Sequence, residues 1–342
     1  MQFPSVQSLA FAYGGPGAQG QFKLQTDDFI VEEFLPFQPE GQGEHSFLYI
    51  EKCHENTEYV ARVLARHAGV RQRDIGFAGL KDRHGRTRQW FSVWLPGKPD
   101  PDWQALNSEQ LQILSVTRHP RKLKRGVLAG NRFQIRIRHW QGDVDQTHQQ
   151  LKLIAQQGYP NYFGEQRFGF QGRNLEKALA MFAGQKVKPE LRSIYLSAVR
   201  SFLFNQILSA RVESAIWNRG LAGEVFQLAD SHSFFNTTAM DEQLAQRVDS
   251  FDIHPTAALW GQGESAATAS AFTTEQAIIA NYPELAAGLL KAGLEQDRRA
   301  LRVMPVNLSW EFEAADSLLL AFQLPAGSYA TALLREIVTL GD

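Results

Sequence analysis

An α+β fold is predicted for this 342-residue chain: a mixed, mainly antiparallel sheet built from both ends of the sequence and interrupted by a largely helical insertion. Three observations carry that prediction. Strand-like alternation crowds the part before Trp140, helical spacing takes over after Thr147, and strand patterns return at residues 306–312 and 317–324. The length suits two domains, expected at residues 1–160 with 304–342 for the sheet and 161–303 for the insertion.

In chain order, residues 1–20 are Gly-rich and read as an irregular lead-in. Residues 22–34 set apolar side chains as a strand or short helix around a turn, with Lys23 ahead of Asp27, Asp28, Glu32 and Glu33. Residues 47–53 form a strand. Asn56 or Thr57 then caps a helix whose Val60, Val63, Leu64 and His67 lie three or four apart, stopped by Gly69. Trp90, Ser92 and Trp94 alternate with Phe91, Val93 and Leu95, the pattern of a strand covered on both faces. After a Pro-rich connection at 96–103 and a basic run at 118–125, residues 126–140 give the cleanest strand. There Phe133, Ile135 and Ile137 oppose Gln134, Arg136 and Arg138, behind a turn at Gly130 and Asn131. Leu151 and Ile154 mark a helix closed by Gly158, and residues 160–172 are a loop of aromatics, glycines and Arg167. Leu196, Val199, Leu203, Ile207 and Ala210 stripe an amphipathic helix over 195–212. Periodicity fades over 217–268, and a turn at Pro325, Ala326 and Gly327 leads into a closing helix over 328–340.

Composition excludes several classes. A 44% hydrophobic fraction and a mean hydropathy of -0.30 describe a soluble globular protein, and no apolar run approaches the roughly 20 residues a bilayer span requires. The first 22 residues hold no Lys or Arg, which predicts no secretory signal and a cytoplasmic protein. Cys53 is the only cysteine, so a disulfide framework is ruled out and a small buried residue is expected. His232 and His254 lack metal-ligand spacing, and no metal site is read. The net charge of -1 conceals an asymmetry: residues 61–140 carry seventeen Lys and Arg against five Asp and Glu, a local +12. Such a region attracts a polyanion over a bounded footprint, or is a solvated face balanced within the fold. The run at 118–125 (RHPRKLKR) is its densest part and a candidate for phosphate contact.

Residues 79–93, GLKDRHGRTRQWFSV, set one acid, Asp82, among Lys81, Arg83, His84, Arg86 and Arg88 just before a central strand. Close positive charge favours an ionised carboxylate, the form in which Asp acts as nucleophile or base. The same pattern is compatible with a solvated turn. A phosphate-binding loop of the G-x-x-x-x-G-K-S/T type is absent from the sequence, which removes a GTP-binding reading.

That stretch, together with GNRF at 130–133, NYFGEQRFG at 161–169, LPAGSYATALLRE at 324–336 and FKLQTDDFIVEE at 22–33, resembles the TruD-type transfer RNA pseudouridine synthases over nearly the whole chain. The resemblance implies a catalytic domain of pseudouridine synthase type carrying an inserted TRUD domain. It implies an isomerase that converts uridine to pseudouridine in tRNA, typically uridine 13 of the D arm, with no metal or organic cofactor. It places the catalytic aspartate on Asp82, its lysine partner on Lys23, and the residues lining the base pocket on Asn131 and Phe133. Lys81, Arg83, Gln89 and Arg167 are expected among the substrate contacts, the last from an aromatic loop with Tyr162, Phe163 and Phe168 that offers stacking. Asp82 could attack C1′, act at C2′ or add to C6 of the uracil; Asn131 could bond a uracil edge or only shape its turn. The expected partner is tRNA, met by a monomer without membrane or metal. A non-catalytic RNA-binding protein using the basic 61–140 region is the competing class.

Overall fold

The computed structural model of the chain describes every residue except Met1, Gln2, Asp230, His232, Ala315 and Asp342, so the reading of His232 lies outside the described residues. The chain runs through β1 (Ala18–Phe22), β2 (Phe29–Phe34), β3 (His45–Cys53), α1 (Thr57–His67), β4 (Ile75–Phe77), β5 (Arg86–Trp94), β6 (Leu111–His119) and β7 (Gly130–Gly142). It continues through α2 (Val144–Gln157), β8 (Tyr159–Pro160), α3 (Arg173–Phe182), α4 (Pro189–Glu213), β9 (Val225–Leu228), β10 (Phe234–Asn236), α5 (Glu242–Asp249) and β11 (Ile253–Leu259). Then come α6 (Ala269–Ile279), α7 (Pro283–Lys291), β12 (Asp297–Ala300), β13 (Arg302–Val303), β14 (Val306–Ala314), β15 (Ser317–Pro325), α8 (Ala330–Leu334) and β16 (Thr339–Gly341).

Contacts divide these elements into two units. One comprises Ala18–Asp143, Pro305–Gly327 and Thr339–Asp342; the other comprises Met1–Gly17, Val144–Met304 and Ser328–Val338. Residues 1–17, 144–160 and 328–338 therefore group with the helix-rich unit, whereas the sequence pattern puts them on the sheet side. Hydrogen bonds explain the grouping: Gln150 Nε2 donates to the carbonyls of Tyr13 (3.0 Å) and Gly15 (2.7 Å), and Glu336 accepts from the amides of Ala12 (2.8 Å) and Tyr13 (3.3 Å).

The sheet unit holds a ten-stranded mixed sheet among the described residues, in the order β14-β15-β7-β2-β5-β3-β6, with β1 joining β7 and β16, and β4 joining β5. Only β2–β5 and β1–β16 are parallel among these pairs. As the sequence predicts, the late strand β15 completes the sheet, pairing Phe322 with Phe133, Leu320 with Ile135 and Leu318 with Ile137. Because side chains alternate with period two, this register puts those six residues on one face with Phe29 and Val31 of β2. On the same face, α1 lays Val60, Ala61, Leu64 and Ala65 against Leu48, Ile50, Phe91, Val93 and Ile113. The other face is covered in part. Leu123, Val127 and Leu128 pack over Phe47 and Trp90, and the Leu123 amide donates to Ser92 Oγ (3.0 Å), but Trp94 stays 37% exposed beyond them.

The expected lead-in ends earlier than residue 20, because β1 begins at Ala18 between β7 and β16. The expected closing helix over 328–340 is instead the short α8 followed by β16, whose Thr339, Leu340 and Gly341 pair with Gln19, Gly20 and Gln21. An open strand edge is a row of unmet donors and acceptors, and pairing satisfies them where one more helical turn would not.

In the other unit α4 runs 25 residues and is buried on most sides, not along one stripe: Tyr195, Phe202, Phe204 and Leu208 are enclosed beside the predicted Leu196, Val199, Leu203 and Ile207, while Ala210 is only half-buried. The unpatterned stretch at 217–268 contains three strands of a four-stranded sheet ordered β10-β9-β11-β12. Its strands of three to seven residues are too short for periodicity to register. No helix among the described residues is long and apolar enough to cross a membrane.

Ile135, fully buried at the middle of β7, tests the sheet core. Ile135→Ala should lower the unfolding free energy by about 3 kcal/mol, lost transfer energy plus a residual cavity. Urea titration checks it; a loss below about 1 kcal/mol would contradict the packing described.

Candidate active site

Asp82 lies in the loop that joins β4 to β5, and that loop is held from three sides. Thr57, at the first position of α1, accepts from the Lys81 amide (3.0 Å) and donates to Gln89 Oε1 (2.8 Å), while Gln89 Nε2 reaches the Gly79 carbonyl (3.3 Å). Lys81 Nζ meets Glu33 Oε2 of β2 at 2.7 Å, both side chains being nearly inaccessible. From the end of β3, Lys52 Nζ donates to the main-chain oxygens of Glu55 (2.7 Å) and Asp82 (3.0 Å). Gly85 permits close approach, since a Cβ there would come within 2.7 Å of the Phe29 ring.

The carboxylate itself is bonded at both oxygens. His84 donates its amide to Oδ1 (2.9 Å), and Lys23 Nζ forms an ion pair with Oδ2. Lys23 follows β1 with φ of 63°, the left-handed region that non-glycine residues seldom occupy, and its ammonium sits 4.3 Å from the Phe29 ring centroid and 4.9 Å from that of Phe22. Burial pushes the Asp82 carboxyl up, but the Lys23 hydrogen bond, the His84 amide and the Lys23 charge outweigh it, so the group lies below its ordinary value and is ionised at neutral pH. Burial acts oppositely on the cation beside it: Lys52 is pulled down to about 8, although the Asp82 charge resists this. Glu33 is raised by burial against the opposing pull of Lys81.

A row of aromatic rings starts beneath Lys23. Phe22 and Phe29 meet edge to face at 5.2 Å, Phe29 lies 6.3 Å from Phe133, and Phe133 stacks on Phe322 at 5.4 Å. Two positions along β7, Asn131 has a buried Oδ1 with no hydrogen-bond partner among the described residues. The structure thus joins Lys23 to Asp82, and Phe133 to the aromatics under that pair. Lys81 and Gln89 turn inward as described, whereas Arg83 is exposed and donates from Nε to the His54 carbonyl (2.9 Å).

Arg167 belongs to the helix-rich unit, where Nη1 donates to Ser197 Oγ (3.1 Å) and Nη2 to the Tyr329 hydroxyl (2.7 Å), with the guanidinium over Phe163. The expected stacking loop around it does not present its rings: Tyr162, Phe163 and Phe168 are 0, 7 and 6% exposed. They are drawn into the core of their own unit, Phe163 by a hydrogen bond from its amide to Asn205 Oδ1 (2.9 Å) and an edge contact with Phe204.

Much of the local positive charge is spent within the sheet unit. Arg86 binds Asp27 (2.7 Å) and Glu51 (2.6 Å), Arg88 binds Glu51 (2.7 Å) and Glu32, and Arg136 binds Glu313 (2.7 Å). In the 120–125 segment Lys122 donates to the Arg73 carbonyl (2.5 Å), while Arg121, Lys124 and Arg125 are exposed. No group of three or more His, Cys, Asp or Glu among the described residues could hold a metal ion.

Sequence reasoning missed Lys52, Glu33 and Thr57. The signal for Lys52 was available: period-two alternation puts it on the face of Leu48 and Ile50, where a lysine needs a reason.

Comparison with known proteins identifies the family of the chain. The family model described as tRNA pseudouridine synthase D (TruD) matches residues 5–181 and 171–337. The tRNA pseudouridine synthase D of Nitrosococcus oceani is 50% identical, covering 99% of this chain and 96% of its own length. That of Methylococcus capsulatus is 48% identical, covering 98% and 95%. The crystal structure of a putative tRNA pseudouridine synthase D from Methanosarcina mazei superposes with a TM-score of 0.75 over 98% of both chains at 22% identity, a likeness of fold. With matches of this extent, the chain belongs to the tRNA pseudouridine synthase D (TruD) family.

Proposed function

We propose that this enzyme, an isomerase, converts uridine 13 in the D arm of tRNA to pseudouridine, with Asp82 as its nucleophile. One observation carries the role of Asp82, a half-buried carboxylate kept ionised by the lysine that follows β1 and set beside a row of aromatic rings; the position in tRNA rests on the family likeness. Isomerisation breaks the N1–C1′ bond, turns the uracil and joins C5 to C1′, after which C5 gives up its proton. An anion at Asp82 supplies the electron pair that bonds C1′ as the uracil leaves with the N1–C1′ pair, and that O–C1′ bond breaks when C5 of the turned base attacks C1′, which returns the pair to the carboxylate. Each Asp82 oxygen carries one hydrogen bond in the structure, which leaves lone pairs for that attack.

Phe133 offers its ring to the uracil once it has left the stem, replacing stacking worth roughly 1 to 3 kcal/mol. Asn131, with its unmatched oxygen, bonds a donor on the uracil edge. Arg83 contacts phosphate; Lys81 and Gln89 hold the loop in place, since their polar ends are already engaged. Arg121, Lys124 and Arg125 extend the phosphate contacts along the basic segment.

Asp82→Asn keeps the shape and removes the anion, so pseudouridine formation should fall by more than about a thousandfold while tRNA affinity changes little. Tritium release from tRNA labelled at uridine C5 measures it, and normal turnover by the variant would sink the assignment. Mapping the product should find pseudouridine at position 13 and nowhere else.

The sign of the pH dependence follows from Lys23. Because Lys23 holds the Asp82 carboxyl low, the wild type keeps its anion as pH falls; in Lys23→Met the acidic limb of the rate profile should move to higher pH. An unmoved limb would detach Lys23 from the role proposed. Replacing Arg121 and Lys124 by Gln should weaken tRNA binding and reduce its salt dependence by about two counterions. A slope of log affinity against log salt equal to that of the wild type would return the segment to solvent.

A further inference from the structure

We propose that Lys52 is a positioning residue for the reaction at Asp82, an ammonium clamp that fixes the main chain from which the carboxylate is presented. The proposal rests on the reading of Asp82 as the reacting group. Lys52 leaves β3 on its inward face, opposite Thr87 of β5 and Leu111 of β6, and is 1% exposed. A lysine so enclosed must be paid for by partners, and the two it has are main-chain carbonyls of segments that frame the site, Glu55 ahead of α1 and Asp82 itself. His54, just before Glu55, is left-handed at φ of 59°, and its carbonyl takes the Arg83 Nε bond, so the 53–55 segment and the catalytic loop are tied twice. Asp82 is consequently fixed at three atoms: its carbonyl by Lys52, Oδ1 by the His84 amide and Oδ2 by Lys23. Removing the first leaves the carboxylate charged but its backbone free to move, and displacement of a reacting group by a fraction of an ångström is expensive in rate.

The clamp is also sensitive to pH. The groups acting on the ammonium are Asp82 and Lys81 from the catalytic loop and Cys53 and Glu55 just after Lys52 itself; the facing positions of β5 and β6, Thr87 and Leu111, do not titrate. Burial dominates and brings Lys52 to about 8, so the cation present at neutral pH is lost as pH rises through that value, and its hold on the two carbonyls weakens.

Single-turnover rates and tRNA affinity should be measured from neutral to alkaline pH for the wild type, Lys52→Met, Lys52→Arg and Asp82→Asn. The wild-type rate should decline above about pH 8. Lys52→Met should lose at least about tenfold in rate at neutral pH, with affinity within about threefold, and should lack the alkaline decline. Lys52→Arg, whose guanidinium stays charged, should recover part of the rate and move the decline upward. The proposal is overturned if Lys52→Met turns over within about twofold of the wild type, or if the decline stays in place in either variant. Should Lys52→Met not fold, the position of the decline in Lys52→Arg decides alone. Asp82→Asn separates the two readings: an inactive Asp82→Asn beside a normal Lys52→Met removes only the clamp, whereas an active Asp82→Asn removes both.

Discussion

Keeping one carboxylate charged in a half-buried loop is the constraint on which the sheet unit is arranged. Burial alone would drive Asp82 toward its neutral form, and the structure answers with the Lys23 ammonium and the His84 amide, one bond to each oxygen. Lys23 can reach only because the chain after β1 takes a left-handed turn and lies on the rings of Phe22 and Phe29. Local backbone strain is thereby coupled to the charge state of a residue 59 positions away, the kind of cost that surrounding structure must over-determine to maintain.

That over-determination comes from the sheet. β2, β5 and β7 run side by side, so Glu33, Gln89 and Phe133 reach the region of the loop from neighbouring strands in a register set by backbone ladders. The stiffness of β7 depends in turn on β15, supplied from more than 170 residues later and paired with it over nine positions. The rings of Phe133 and Phe322 stack because that register leaves them opposite each other.

Charge is distributed with similar economy. Of the cations that make residues 61–140 strongly basic, Arg86, Arg88 and Arg136 are engaged by carboxylates drawn from residues 27–51 and from Glu313. Those acids lie outside the 61–140 window, so the excess counted along the sequence overstates the field at the surface. Ten of the seventeen remain exposed, Arg83, Arg121, Lys124 and Arg125 among them, a bounded footprint for phosphates.

The sequence by itself determined the strands around Asp82, the alternation of β7, the return of the sheet at β14 and β15, and the likeness that singles out Asp82 and Lys23. Those features are local: period, cap and turn residues, and motifs read within a dozen positions. It did not disclose that 328–340 breaks into α8 and β16, that 217–268 hides three short strands, or that the rings of residues 162–168 point into a core. Each of these depends on what partner is available in space, an open strand edge, a neighbouring short strand or a long buried helix, and no period records it. The same holds for Lys52, Glu33 and Thr57, ordinary residues in the chain that become supports of the loop only when β2, β3 and α1 converge on it. Tertiary structure decided them because a hydrogen bond acts over about 3 Å of space, whatever the distance along the chain.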